Sequence, residues 1–315
     1  MRHSLYWDDF ERRIKETVRC LQNGVEIPVR RVSVFITDHC NFRCSYCNSK
    51  PSGPSMSQKV FEEIVARYGQ TAIIHITGGE PSVVPWLYPF LEATGDICRY
   101  HLNTNAFIMP PARAIQRLKV SLDSHDRDYW NNLVGVNAFD RVVANIKKCI
   151  PDTVVSVTYT LTKENYRRAA DFAAFARREF PGVYAVFFSV YKGTNPRFVF
   201  DATDAEIFFK ITMPILKNIL PEESLRLMEE TLDEKRRIME GVRFPQNNDN
   251  RPCYISMSER VFDSAGNVSL CSHLYRDKVH HTTPEKHAKC AYGCNRRLVA
   301  FNEEVAARLE VLCPV

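Results

Sequence analysis

Cys40-Asn41-Phe42-Arg43-Cys44-Ser45-Tyr46-Cys47 follows directly on the apolar run 32–36, and the rest of the chain is organised around it. Thiols placed four and then three residues apart on one loop can converge on a single metal centre. A structural zinc would close its tetrahedron with a fourth protein ligand. No fourth Cys follows nearby, and the next His downstream is His75. A cuboidal 4Fe-4S cluster held by three thiolates instead leaves one iron open, a vacancy suited to a small chelating cofactor.

Composition narrows the setting of that loop. The 315 residues suffice for one large domain or a domain with an appendage. Hydrophobic residues make up 45% and charged residues 25%, the balance of a globular protein with a sizeable core. The net charge of +5 is spread along the chain rather than gathered in a basic stripe, so nucleic acid is not an expected partner. The first residues lack the apolar centre of a secretion signal, and no run long enough to span a membrane follows. The expectation is a cytoplasmic protein without a membrane partner, in which eleven Cys serve metal or redox chemistry rather than disulfides.

Periodicity predicts the architecture. Residues 5–22 carry an amphipathic helical pattern. Beyond them, β-rich runs at 32–37, 72–77, 98–103, 118–122, 153–161 and 183–190 alternate with helical patterns at 58–69, 85–94, 138–149 and 165–179, with an irregular connection around Pro110 and Pro111. Repeated strand and helix units imply a parallel sheet with right-handed crossovers. Six units, rather than eight, predict an α/β fold: a partial (β/α)6 TIM-like barrel. Residues 204–241 read as one or two further helices broken at Pro221, and the polar run 245–252 marks a boundary. The expected organisation is thus a helical extension (1–29), the partial barrel (30–203), linker helices (204–249) and a small C-terminal domain (250–315).

Barrels of this type build their sites at the C-terminal ends of the strands. The cysteine loop follows the first strand, Thr77-Gly78-Gly79-Glu80-Pro81 the second, Asn103-Thr104-Asn105 ends the third and Ser121-Leu122-Asp123-Ser124 the fourth. Paired glycines let a backbone approach a ligand, and a carboxylate beside them can accept bonds from an ammonium. A tight turn, a helix cap or a strand-end turn would account for the same residues without a ligand.

The loop with Tyr46 just before its last Cys resembles that of the radical S-adenosylmethionine (SAM) enzymes. The resemblance implies that Cys40, Cys44 and Cys47 hold a 4Fe-4S cluster, that the amine and carboxylate of SAM chelate the open iron, and that one electron splits SAM to a 5'-deoxyadenosyl radical. The stretch 78–81 resembles that family's GGEP motif for the SAM amino group. Tyr46, Asn103, Asn105, Ser121, Asp123 and, at the end of the sixth strand, Ser189 are then expected to contribute to the SAM site.

A second cysteine group begins after the boundary. Cys253, Gly266 and Cys271 form C-x12-G-x4-C, and Cys290 with Cys294 forms C-x3-C. Between the first pair, 261–270 reads as a β-hairpin with its turn at 264–267, which would bring Cys253 and Cys271 to one end. A zinc knuckle of four Cys has the same spacing. The pattern also resembles the single-cluster, twitch-like form of the SPASM/twitch radical SAM enzymes, which implies a second, auxiliary 4Fe-4S cluster on Cys253, Cys271, Cys290 and Cys294. Cys20, Cys98 and Cys149 are expected as buried thiols, and Cys313 is left unassigned.

The expectation is therefore an enzyme that cleaves SAM reductively and abstracts hydrogen from a small-molecule substrate in a net oxidation, with the auxiliary cluster as electron acceptor and a flavodoxin or ferredoxin as reductant. Modification of a peptide or protein side chain is the alternative. It is disfavoured by the roughly 30 residues before the first strand, too few for a leader-binding domain. A non-enzymatic zinc protein would leave GGEP and the strand rhythm unexplained. No residue can be named as a general acid or base from sequence.

Overall fold

The computed structural model describes residues 7–47, 53–241, 253–271 and 296–312. Cys290, Cys294 and Cys313 lie outside them. The first half of the chain alternates strand and helix: α1 (Trp7–Gln22), β1 (Arg31–Phe35), α2 (Gln58–Tyr68), β2 (Ile73–Thr77), α3 (Leu87–Thr94), β3 (Arg99–Thr104), β4 (Arg117–Ser121), α4 (Arg127–Val134), α5 (Phe139–Cys149), β5 (Val154–Leu161), α6 (Ala169–Glu179) and β6 (Ala185–Val190). β1 to β6 pair in parallel with each sequential neighbour, which makes the sheet a partial TIM-like barrel.

The strands form because their residues alternate. Val32, Val34, Ile74, Ile76, Tyr100, Leu102, Leu118 and Val120 are fully buried and pack against Phe61, Leu87, Leu91, Trp130 and Val142 of the helices. The intervening residues face the barrel interior. That inner face is polar, carrying Arg31, His75, Arg99, His101, Arg117 and Lys119 in place of the usual branched aliphatic layers.

The remainder closes around this sheet. α7 (Ala202–Ile207), α8 (Met213–Ile219), α9 (Glu222–Glu230) and α10 (Leu232–Met239) contain the expected break at Pro221. They do more than link, however. α9 and α10 pack on β6, and the Ser224 hydroxyl accepts from Val186 N, so the sheet edge is covered.

After α11 (Tyr254–Ser258), the expected hairpin is present as β7 (Glu259–Phe262) and β8 (Val268–Ser269). β7 pairs in parallel with β1, giving one eight-stranded sheet among the described residues, in the order β6-β5-β4-β3-β2-β1-β7-β8. The boundary expected near residue 250 divides the sequence, but the hairpin continues the barrel's own sheet. β1 has one neighbour in β2, and its other edge is free to take a strand from far along the chain. The final helix, Arg296–Leu312, packs on α1 and α11 through Ile14, Val18, Tyr254, Ile255, Phe301 and Val305, a second small core that joins the two ends of the chain.

Candidate active site

Cys40, Cys44, Cys47, Tyr46, Gly78, Gly79, Glu80, Asn103, Asn105, Ser121 and Asp123 line one cavity of about 260 Å³ at the C-terminal ends of β1 to β4, together with Thr77, Thr104, Lys119, Trp130 and Thr158. The structure thus brings together the three loop cysteines and most of the residues expected at the SAM site. Pro81 instead opens a buried 3-10 turn, Pro81–Val83. Ser189 is exposed and lines a neighbouring cavity rather than this one, because its strand lies at the far edge of the sheet.

The cysteine loop has little regular structure of its own, and its shape is imposed from four sides. Arg43 N and Ser45 N donate to the carbonyls of Val134 and Leu133, at 2.8 and 2.9 Å. These are among the orphan carbonyls at the C-terminal end of α4, so one set of unmet backbone groups satisfies another. α4 itself was not foreseen. Its eight residues offer a single turn of apolar pattern, yet Asp126 caps its start on Tyr129 N and Gly135 ends it at φ +72°. Phe42, 4% exposed, is wedged edge-on between Phe107 and Trp130. Asn105 Nδ2 donates to Asn41 Oδ1 at 2.7 Å, and the Tyr46 hydroxyl donates to Asp123 Oδ2 at 2.5 Å.

The paired glycines serve this loop directly. Gly79 N donates to Thr37 O and Glu80 N to His39 O, at 2.7 and 2.8 Å. A Cβ on Gly78 would lie 2.4 Å from Thr37 O, and one on Gly79 2.2 Å from His39 O. Gly78 also has φ +144°, a conformation side chains resist. The close approach that demands glycine is therefore to the backbone entering the cysteine loop.

Glu80 is 1% exposed and its carboxylate is already well used. Oε1 accepts from Ser82 N at 3.0 Å and from the Thr104 hydroxyl at 2.6 Å, while Oε2 accepts from Asn105 N at 2.7 Å. Burial pushes its carboxyl up from the ordinary range, and these three donors pull it back. A carboxylate has room for about four such bonds, so one acceptor site remains beyond the three. Asp123 is likewise pushed up by burial and opposed by its bonds from Tyr46 and Thr160 N.

Burial also pushes up the thiols of Cys40 and, further, Cys44. Metal binding at such thiols must displace their protons. Among the described residues no three Cys, His, Asp or Glu side chains are close enough to share a single metal ion. The fit to a cluster therefore rests on the donor set, three thiols of one loop facing one cavity. A fit to SAM beside it rests on the strand-end groups. The Thr158 hydroxyl, opposite Ser121 in the sheet, is buried on the cavity wall with no hydrogen-bond partner among the described residues. Such an orphan calls for a ligand or water.

Lys119 was missed in the sequence. The alternation of β4, Arg117-Leu118-Lys119-Val120-Ser121, puts 117, 119 and 121 on one face and could have identified it. In the second cysteine group, Cys253 precedes α11 and Cys271 lies two residues beyond β8, both at the same end of the hairpin. Asn302 Oδ1 accepts from Tyr254 N at 3.0 Å, fixing the chain beside Cys253. At the hairpin's opposite end, the Ser264 hydroxyl donates to Asp38 Oδ2 at 3.0 Å, tying its turn to the start of the first cysteine loop.

Comparison with known proteins agrees with this geometry. A family model described as the Radical SAM superfamily matches residues 34–176. The probable GTP 3',8-cyclase of Sulfurisphaera tokodaii is 28% identical over 163 residues, 47% of this chain and 52% of the relative. The GTP 3',8-cyclase of Geobacter sulfurreducens is 32% identical over 140 residues, 39% and 42% of the two chains. The chain thus spans about half the length of the curated relatives it matches. Among solved structures, Streptococcus suis SuiB bound to precursor peptide SuiA is similar with a TM-score of 0.59 at 16% identity, over 93% of this chain and 69% of that one. Native anSMEcpe with bound AdoMet and Cp18Cys peptide is similar with a TM-score of 0.57 at 16% identity, over 90% and 99%. These two likenesses concern the fold. The matched segment 34–176 holds the cysteine loop, the paired glycines and the polar ends of β3 and β4, and over that segment the chain is similar to the radical SAM superfamily.

Proposed function

We propose that the chain is a radical SAM enzyme acting on a small-molecule substrate, with Cys40, Cys44 and Cys47 holding the SAM-side 4Fe-4S cluster. The observation that carries this reading is the single cavity in which three thiols meet the polar ends of β1 to β4. When bound, the cluster and SAM supply one electron and a carbon radical able to abstract hydrogen.

The residues of the chain bind and orient. The Tyr46 to Asp123 bond pins the last turn of the cysteine loop to β4, and the Asn105 to Asn41 bond pins its first turn to β3. Asn103, Ser121 and the unpartnered Thr158 hydroxyl offer bonds to a polar cofactor. Glu80 keeps one acceptor site for an ammonium while holding the β3 exit. Trp130 and Val134 close the apolar side and exclude water.

Cys253 and Cys271, with Cys290 and Cys294, are proposed to hold an auxiliary 4Fe-4S cluster. Four thiolates would saturate it, so it would accept an electron from the substrate and make the reaction a net oxidation. The reductant would be of flavodoxin or ferredoxin type. Relatives named as GTP 3',8-cyclases support a small-molecule substrate, since the activity they are named for is on a nucleotide.

Incubation of the anaerobically reconstituted protein with SAM and dithionite tests the reading, with 5'-deoxyadenosine and methionine measured by chromatography. Slow formation of both is expected without any added substrate. A protein that holds iron and sulfide yet yields neither product refutes it.

A further inference from the structure

Lys119 stands between two cavities. It lines the cysteine cavity and also a second one, of about 310 Å³, bounded by β6 and the helices that cover it, with Phe187, Ser189, Lys192, Ser224 and Lys235 in its wall. No Asp or Glu is among the described residues lining this second space. The Lys119 ammonium has no carboxylate partner among the described residues. It lies 5.2 Å from the centre of the Phe187 ring, over which Arg117 also sits, at 5.4 Å.

The charged groups that act on Lys119 are of its own sign. Burial, Arg117 and Arg31 together draw its ammonium down to about 8. His75, two strands further round, is held neutral by burial and by Arg31, Lys119 and Arg117. A lysine kept in such surroundings loses hydration and gains only a ring face in return, an arrangement that an incoming anion would relieve.

We propose that the second cavity is the substrate pocket and that it receives a carboxylate or phosphate group of a small-molecule substrate on Lys119. This rests on the reading that the cysteine cavity holds SAM. Lys119 would then set the distance between the anionic end of the substrate and the radical's point of attack, since one side chain borders both spaces. The phosphates of a nucleotide and the carboxylate of an organic acid present the same chemistry to an ammonium.

Calorimetric titration of the reconstituted protein, saturated with SAM and without reductant, separates the two sources, with inorganic pyrophosphate as one probe and succinate as the other. Saturable binding of one of them is expected, and which one binds identifies the anionic group. Lys119→Met should weaken it at least about tenfold, the loss of a charge-assisted bond, while Lys119→Arg should stay within about threefold. Should Lys119→Met fail to fold, Ser189→Phe, which fills the same cavity from an exposed position, should produce the same loss. The proposal is overturned if neither probe binds, or if Lys119→Met or Ser189→Phe binds as the parent does. No turnover is read in the titration. Failure to cleave SAM would therefore leave a positive isotherm standing, and a flat isotherm would leave the cluster assignment standing.

Discussion

The two cysteine regions of this molecule are built in opposite ways. The loop 40–47 draws its shape from neighbours close along the chain: the exits of β1 to β4 and the end of α4, all within the segment 34–176. The stretch around Cys253 and Cys271 is held by partners almost a whole chain away. Arg13 Nη2 donates to Glu259 Oε1 at 3.0 Å and to the Ser258 hydroxyl at 2.9 Å. The first region is a loop set into a finished sheet, whereas the second depends on β7 finding the edge of β1 and on the two ends of the chain meeting. Contact between Ser264 and Asp38 joins them, so a change in one can be felt in the other.

The largest effect is expected from the proposed cluster ligands. Replacing Cys40, Cys44 and Cys47 by Ala should abolish SAM cleavage and lower iron from about eight to about four atoms per chain. Replacing Cys253 and Cys271 by Ala should remove the complementary four or so. Iron and sulfide analysis after anaerobic reconstitution checks both, and an iron content unmoved by the second pair would break the symmetry between the regions.

A smaller but large stability effect should follow from Gly79→Ala. Its Cβ would meet a backbone oxygen, His39 O, which has no room to yield without moving the cysteine loop. A loss of about 3 kcal/mol in denaturant unfolding is expected, the scale of severe single substitutions. A midpoint equal to the parent's would show that the loop gives way freely.

Acid should weaken the barrel through its interior. His75 is drawn from 6.5 down to about 3, mainly by burial and by Arg31, and His101 is lowered as well. The unfolded chain takes up protons that the folded chain refuses. Stability from this source is therefore fully present above about 6.5 and is lost as pH falls toward 3, at about 1.4 kcal/mol per pH unit for one such group. Urea midpoints across that window should fall steeply for the parent and less steeply for His75→Gln.

The smallest of these effects belongs to Tyr46→Phe, which deprives the buried Asp123 of one donor. A loss of about 1–3 kcal/mol in stability is expected, since a buried acceptor is left partly unmet. With it should come a weaker hold on the last turn of the cysteine loop, read as faster loss of iron to a chelator.

Much of the barrel could be read in advance because strand and helix periods are local. Each strand expected between residues 32 and 190 was found within a few residues, and the alternation that buries Val32, Val34, Ile74 and Ile76 is written in the residues themselves. The cysteine spacing and the strand-end positions of Gly78, Asn103 and Ser121 were legible for the same reason. α4 escaped because one apolar turn is too short a period to register, although its end shapes the loop.

What the sequence by itself determined was the order of the strands, the three thiols and the polar residues that follow each strand. Only the tertiary structure decided that the hairpin pairs with β1, that α9 and α10 cover β6, that the carboxylate of Glu80 holds the β3 exit, and that Lys119 borders two cavities. The physical reason is range. A period of two or of 3.6 residues is a property of neighbours in the chain. An edge left open, a lone pair taken by a distant donor and a cation kept from its counter-charge are properties of groups that meet only once the chain has closed on itself.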